Sequence, residues 1–284
     1  MNTFRFVLVT SLGLGLSSTG CLGNADPLVA DIEPPHFKAL GTGGGISPNG
    51  LSPNSFHSNL TKLSQAMSWK LVGPGGSQVS QEVLNTGLLS TPEGRETFTY
   101  AVQCALSTTV YGPGEVPNQG SVPYYGHSLL TTTGGWLDGN LSMGQRQDVF
   151  ACLLAHLNPA PLPVHILLSG NSVRDKSDDV NEPDQDAFSF DEAVWGVTVD
   201  TSLAATLRVW PMRDLVTTCG RGVFDILQTR VCAFDLLDCG VDVRGDLPIA
   251  CDETAGHFTC YGQPAIRSRL EPGSVSKMYG GCAP

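Results

Sequence analysis

The sequence predicts an α+β fold in which two or three helices pack on a mostly antiparallel sheet, with a disulfide-rich lobe at the C-terminal end. Three observations carry that expectation. Apolar residues recur at helical spacing in three segments between positions 59 and 158. Short apolar runs bounded by Gly and Pro lie between and after them, as strands and turns do. Six of the nine cysteines crowd into residues 219–282. With 284 residues, 41% of them apolar, the chain can bury one large core or two modest ones.

Residues 1–20 carry a single charge, Arg5, followed by an apolar run from Phe6 to Leu16 and the small residues Ser17, Ser18, Thr19 and Gly20. This is the pattern of a signal peptide, and the run is too short to span a bilayer as a helix. The approach to Cys21 resembles a bacterial lipobox, which implies that Cys21 is acylated and becomes the new N-terminus. Ser18 stands where that motif carries Leu, so ordinary signal-peptidase cleavage is the alternative. The expectation is an exported protein held to a membrane by its N-terminal lipid: at the outer membrane, the periplasmic face or the cell surface.

Setting Cys21 aside leaves Cys104, Cys152, Cys219, Cys232, Cys239, Cys251, Cys260 and Cys282. Eight is the count for four disulfides in an oxidising compartment. Cys104 and Cys152 sit on helical segments far from the other six, so they are expected to pair with each other; the remaining connectivity stays open. No C-x-x-C, C-x-x-C-H or finger-like Cys/His spacing occurs, which argues against zinc and c-type haem. The formal charge of −11 makes nucleic acid an improbable partner.

Residues 21–58 read as a Gly-, Pro- and Asn-rich tether, and the 59–215 segment as the α+β core domain. Within the tether a five-residue echo runs Ile46-Ser47-Pro48-Asn49-Gly50, then Leu51-Ser52-Pro53-Asn54-Ser55. Its period is similar to that of pentapeptide repeats, although so few pentads cannot bury a core, and a turn-rich linker explains the same residues. Leu60, Leu63, Met67 and Leu71 fall on one helical face. A second helix spans 91–106, opened by Thr91 and Pro92. A third begins at Ser142 with Gln145 three residues on, a capping box, and stops before Pro159. Residues 111–136 read as strands and turns, and 164–168, 193–199 and 207–210 as strands. Residues 216–284 form the expected Cys-rich lobe.

Candidate chemistry is sparse. The acidic loop over 175–192 offers Asp179, Asn181, Asp184 and Asp186 as oxygen ligands for calcium, the one cofactor the sequence suggests. The EF-hand pattern fails there, because Asp184 falls where Gly is needed and Phe190 where Glu is needed; a solvated loop is the plainer reading. Gly126-His127-Ser128 puts a hydroxyl beside an imidazole, yet no G-x-S-x-G elbow exists. Ser274-Val275-Ser276-Lys277 matches S-x-x-K without its companion motifs. The six histidines show no ligand spacing. His156 is expected to favour its helix C-terminus, and His165 to face away from the core. Gly41 to Gly45 lacks the preceding strand of a phosphate loop. Trp69, Trp136, Trp195 and Trp210, with Tyr124 and Tyr125, are either core or the lining of a carbohydrate or peptide groove.

The tether with its Asn-Gly pentads, the segment Tyr100-Ala101-Val102-Gln103-Cys104-Ala105-Leu106, the helix end Ala151-Cys152-Leu153-Leu154-Ala155-His156-Leu157-Asn158 and the Cys-rich tail together resemble uncharacterised predicted lipoproteins of myxobacteria-like predatory soil bacteria. That family has no assigned activity, so the resemblance implies export and a lipid anchor but assigns no catalytic residue. The functional expectation is a non-catalytic surface or periplasmic lipoprotein, a binding or structural module for a protein or carbohydrate ligand. A secreted hydrolase of unfamiliar type and a calcium-dependent adhesion module are the alternatives.

Overall fold

The Ser142 hydroxyl accepts from the Gln145 backbone N–H (3.3 Å) while Gln145 Oε1 accepts from Ser142 N–H (2.8 Å). This capping box opens α4 (Met143–His156), the helix around which the molecule is organised. Its residues from Val149 to His156 are all buried, as expected of a helix that is apolar on most sides. One side of α4 packs on strands β5 (Phe190–Val199) and β10 (Gln263–Leu270), and another on α3 (Pro92–Ala105). Thr91 caps α3 and Pro92 occupies its first turn, as the sequence predicts. The structure, a computed structural model, describes residues 46–114, 120–130, 134–160, 163–170, 172–173, 185–233, 239–244, 251–254, 257–260, 262–280 and 282.

The class is α+β, and the main sheet has eight strands. In space its order is β1 (Ile46–Asn49), β4 (Val164–Gly170), β10, β5, β6 (Ala205–Pro211) and β7 (Val241–Val243), with the hairpin β8 (Cys251–Thr254) and β9 (His257–Cys260) attached to β10. All pairings are antiparallel except β6 with β7. A separate two-stranded sheet joins β2 (Val110–Pro113) to β3 (Ser121–Tyr124). Alternation along β10 sends Ile266, Ser268 and Leu270 into the core and Arg267 and Arg269 to the far face.

Three expectations about organisation need correction. Seven helices occur among the described residues, not two or three. The extra ones are α2 (Gln81–Asn85), α5 (Arg213–Cys219) and α7 (Val275–Met278), too short for a helical period to emerge in the sequence, and α6 (Val223–Cys232), which carries Val223, Leu227 and Val231 at helical spacing but over fewer than three turns. Second, the pentad segment is not a tether. Its first unit forms β1, where Pro48 is tolerated because the strand lies at the end of the sheet order. Its second starts α1 (Pro53–Ala66), with Ser52 as cap and Leu51 and Phe56 fully buried. Buried Asn49 accepts at Oδ1 from Val164 N (2.9 Å) and from Asn158 Nδ2 (3.1 Å), tying the first pentad to the start of β4. Third, the Cys-rich segment is not a separate lobe, since its strand β10 lies between β4 and β5.

Four disulfides pair Cys104–Cys152, Cys219–Cys282, Cys232–Cys239 and Cys251–Cys260. The first is the pairing expected from the two helical segments, and it staples α3 to α4. Four such bonds suit an oxidising, exported environment. No helix among the described residues is long and apolar enough to cross a membrane. Gly94 on α3 marks a close approach: a Cβ there would lie 1.7 Å from Leu88 O.

Candidate functional site

Three clusters of polar or aromatic side chains stand out, and the first two are sealed. Between Ser268 and Arg269 the β5·β10 register shifts, and Glu192, the extra residue on β5, turns inward. There its Oε1 accepts from Arg230 Nη1 and from the Tyr279 hydroxyl (2.5 Å), and Oε2 accepts from Ser268 Oγ (2.6 Å). Ser268 Oγ in turn accepts from Trp195 Nε1 (2.8 Å). Arg230 also donates to Tyr279 (2.9 Å), to Leu157 O (3.1 Å) and to Ala155 O (2.8 Å), and its guanidinium lies 4.6 Å from the centre of the Trp195 ring. Burial holds the Tyr279 hydroxyl protonated, well above the ordinary tyrosine range. Glu192 is wholly buried and Arg230 is 2% exposed, so the network ties β5, β10, α6 and the end of α4 together without facing solvent.

The second cluster joins Cys104, Cys152 and His156, whose potential ligand atoms all lie within 4.8 Å of one another. The two sulfurs are already bonded, so neither is a thiolate available to a metal. His156 Nδ1 donates to Cys152 O (2.7 Å), a tautomer assigned from the carbonyl it faces. Burial pushes its pKa down to about 4 against the opposing pull of that carbonyl, with His127 and Arg230 adding to the depression. The expectation that His156 stabilises the helix end as a cation is therefore corrected: it is a neutral, fully buried group.

The third cluster is open. A groove of about 600 Å³ lies between the end of α1, α2 and the β5–β6 turn. Trp69, 51% exposed, is its aromatic element. The backbone under Trp69 is held at both ends, its N–H donating to Ala66 O (3.1 Å) and its carbonyl accepting from the Nε1 of buried Trp136 (3.2 Å). Gln65 and Ser68 come from the same stretch of chain. Across from them α2 supplies Glu82 and Asn85, with Thr86 at its C-cap. Ser80 fixes α2 against the Trp69 segment, because its N–H donates to Leu71 O (2.8 Å) and its hydroxyl to Lys70 O (2.7 Å).

Leu203 closes the groove from the β5–β6 turn. Asp200 Oδ1 accepts from Ser202 N, Ser202 Oγ and Ala204 N at 2.6–3.0 Å, an Asx-type turn. Ser64 on α1 donates its hydroxyl to Leu203 O (2.8 Å). Leu203 itself has φ of +68°, in the left-handed region that glycine favours and a leucine enters only under strain.

Of the residues singled out by sequence, all eight paired cysteines are structural. Cys21, Asp179, Asn181 and Asp184 lie outside the described residues, and Asp186 is exposed in a short 3₁₀ turn, Gln185–Ala187. Among the six candidate groove aromatics, Trp136, Trp195, Trp210 and Tyr124 are core, Tyr125 is exposed away from the groove lining, and only Trp69 belongs to it. His165 is exposed, as strand alternation predicts. Sequence reasoning missed Gln65, Glu82, Asn85 and Leu203, whose residue types carry no spacing signal, and the buried Glu192–Arg230 pair, which nothing local announces. Comparison with protein-family models, with curated proteins and with solved structures found no match.

Proposed function

We propose that this chain is an exported, lipid-anchored, non-catalytic binding protein whose ligand seats on the Trp69 groove. One observation carries the reading: a half-exposed tryptophan stands on a backbone fixed at both ends, in the groove where polar side chains from two helical segments meet. Such a large apolar ring is ordinarily buried, and exposing it on a rigid support favours recognition over packing. The hydrolase alternative gains little from the same groove. Among the described residues its lining holds one carboxylate, Glu82, and no histidine or cysteine, whereas glycoside hydrolysis uses two carboxylates and acyl transfer a nucleophile with a base. The anchor rests on the sequence before Cys21 and on the even number of the other cysteines, all paired.

Two measurements test the proposal. Mass spectrometry of the mature N-terminus should find a lipid-modified Cys21, and an unmodified N-terminus would remove the anchor. Immobilised polysaccharides and proteins should retain the wild-type protein on at least one surface without fragmenting it, and Trp69→Ala should abolish retention at an unchanged melting temperature. Release of ligand fragments, or equal retention of the variant, would defeat the binding reading.

A further inference from the structure

We infer that the Trp69 groove is a subsite for a neutral carbohydrate and that Leu203 is the wall that sets its fit; this rests on the groove being the ligand site. A pyranose carries C–H groups on its faces and hydroxyls around its edge. It therefore stacks on an indole while its edge seeks planar groups that accept or donate two hydrogen bonds at once. Trp69 offers the indole, and Gln65, Asn85 and Glu82 line the same, mostly apolar groove. Neither Gln65 nor Glu82 has a side-chain hydrogen bond among the described residues. Asn85 is oriented by Gln81, whose Nε2 donates to Asn85 Oδ1 (2.9 Å).

The charge pattern narrows the ligand. Among the described residues no Lys, Arg or His lines the groove, so a phosphate or a uronic acid meets the Glu82 carboxylate there without a counter-charge. A peptide bound by strand addition would need a free sheet edge to pair with, and the walls here are helix ends and a turn. Leu203 supplies an independent observation. A residue at φ +68° is most simply a glycine, yet this turn has a leucine there, its carbonyl bonded by Ser64 and its N–H donating to Asp200 O (3.0 Å), and Leu203 lines the groove.

The test is native affinity electrophoresis of the full-length protein in detergent micelles. The gels carry neutral polysaccharides (β-glucan, xylan, mannan) or acidic alginate, with an array of uncharged peptides run beside them. At least one neutral polysaccharide should retard the protein, alginate should not, and Trp69→Ala should weaken retardation about tenfold or more. Leu203→Gly should keep or raise the melting temperature while weakening retardation severalfold. Absence of retardation by every neutral polysaccharide overturns the carbohydrate assignment. If peptides then bind in a Trp69-dependent way, the groove survives as a ligand site with another ligand; if nothing binds through Trp69, both readings fall. Unchanged binding by Leu203→Gly removes the role given to the wall.

Discussion

Arg230→Met is expected to be among the most damaging single replacements in the molecule. The guanidinium makes four hydrogen bonds: to Glu192, to Tyr279, and to the carbonyls of Ala155 and Leu157 at the end of α4. Methionine fills much of the volume and satisfies none of them. Glu192 would remain wholly buried, its carboxyl group left with only the two hydroxyls of Ser268 and Tyr279. Removing one partner of a buried, hydrogen-bonded ion pair costs about 3–5 kcal/mol, because the other charge is left uncompensated. At roughly 2–4 °C per kcal/mol for a domain of this size, the melting temperature should fall by about 10 °C. The mechanism makes a sharper demand than the size of the loss. Glu192→Gln added to Arg230→Met removes the stranded charge, so the double variant should be more stable than the sum of the two losses by about 1–3 kcal/mol. Arg208→Ala serves as a control, since the Arg208–Asp242 pair is more than a third exposed on both sides and its loss should cost less than about 1 kcal/mol. Urea unfolding at constant pH with the disulfides intact measures the wild type, the two single variants, the double variant and the control. A loss under about 1 kcal/mol for Arg230→Met, or strict additivity in the double variant, would refute the argument.

The two disulfides of different span should differ in worth. Chain entropy gives about 4 kcal/mol for Cys104–Cys152, separated by 48 residues, and about 2.5 kcal/mol for Cys232–Cys239, separated by 7; comparing the paired Cys→Ala variants by urea unfolding reverses the ranking if local packing dominates. For His156 the folded pKa of about 4 lies below the unfolded value of 6.5, so the unfolded chain binds the proton first. Its contribution is complete above pH 6.5 and disappears as pH falls toward 4, about 3 kcal/mol in all. His156→Gln should flatten the acid limb of stability between pH 7.5 and 4.5, and an unaltered limb in that variant would show that other groups govern it. His57 and His127, whose pKa values burial also lowers, act in the same direction. Gly94→Ala tests packing against propensity: alanine in a helix usually gains about 1 kcal/mol over glycine, but here its methyl would press on Leu88 O, so calorimetry should show a net loss of stability.

What the sequence disclosed follows from how local each signal is. The capping box of Ser142 and Gln145 and the Thr91-Pro92 start rest on contacts within a few residues, and the runs that became β4, β5 and β6 show as apolar stretches between turn formers; all appear where the pattern places them. The Cys104–Cys152 pairing was legible because two helical cysteines stood apart from the rest. β10 alternates apolar Ile266 and Leu270 with Arg267 and Arg269, a strand pattern obscured by the cysteines around it. The pentads misled because Pro, Asn and Gly are turn formers unless tertiary contacts capture them, as buried Asn158 and Val164 capture Asn49. The groove was half visible: Trp69 was a candidate among six aromatics, but its exposure depends on Trp136, distant in sequence, holding the backbone beneath it.

The position of β10 bears on how the chain reaches its native state. The strand between β4 and β5 is drawn from residues 263–270, long after both neighbours have emerged from a ribosome or an export channel. Until it arrives, β4 and β5 each present a row of unpaired amides and carbonyls, the template on which strands from separate molecules add to one another. Pairing so distant in sequence also closes slowly. A chain shortened before residue 263 would therefore lose more than a tail: it would display two raw sheet borders in place of one finished interior, and its expected fate is aggregation.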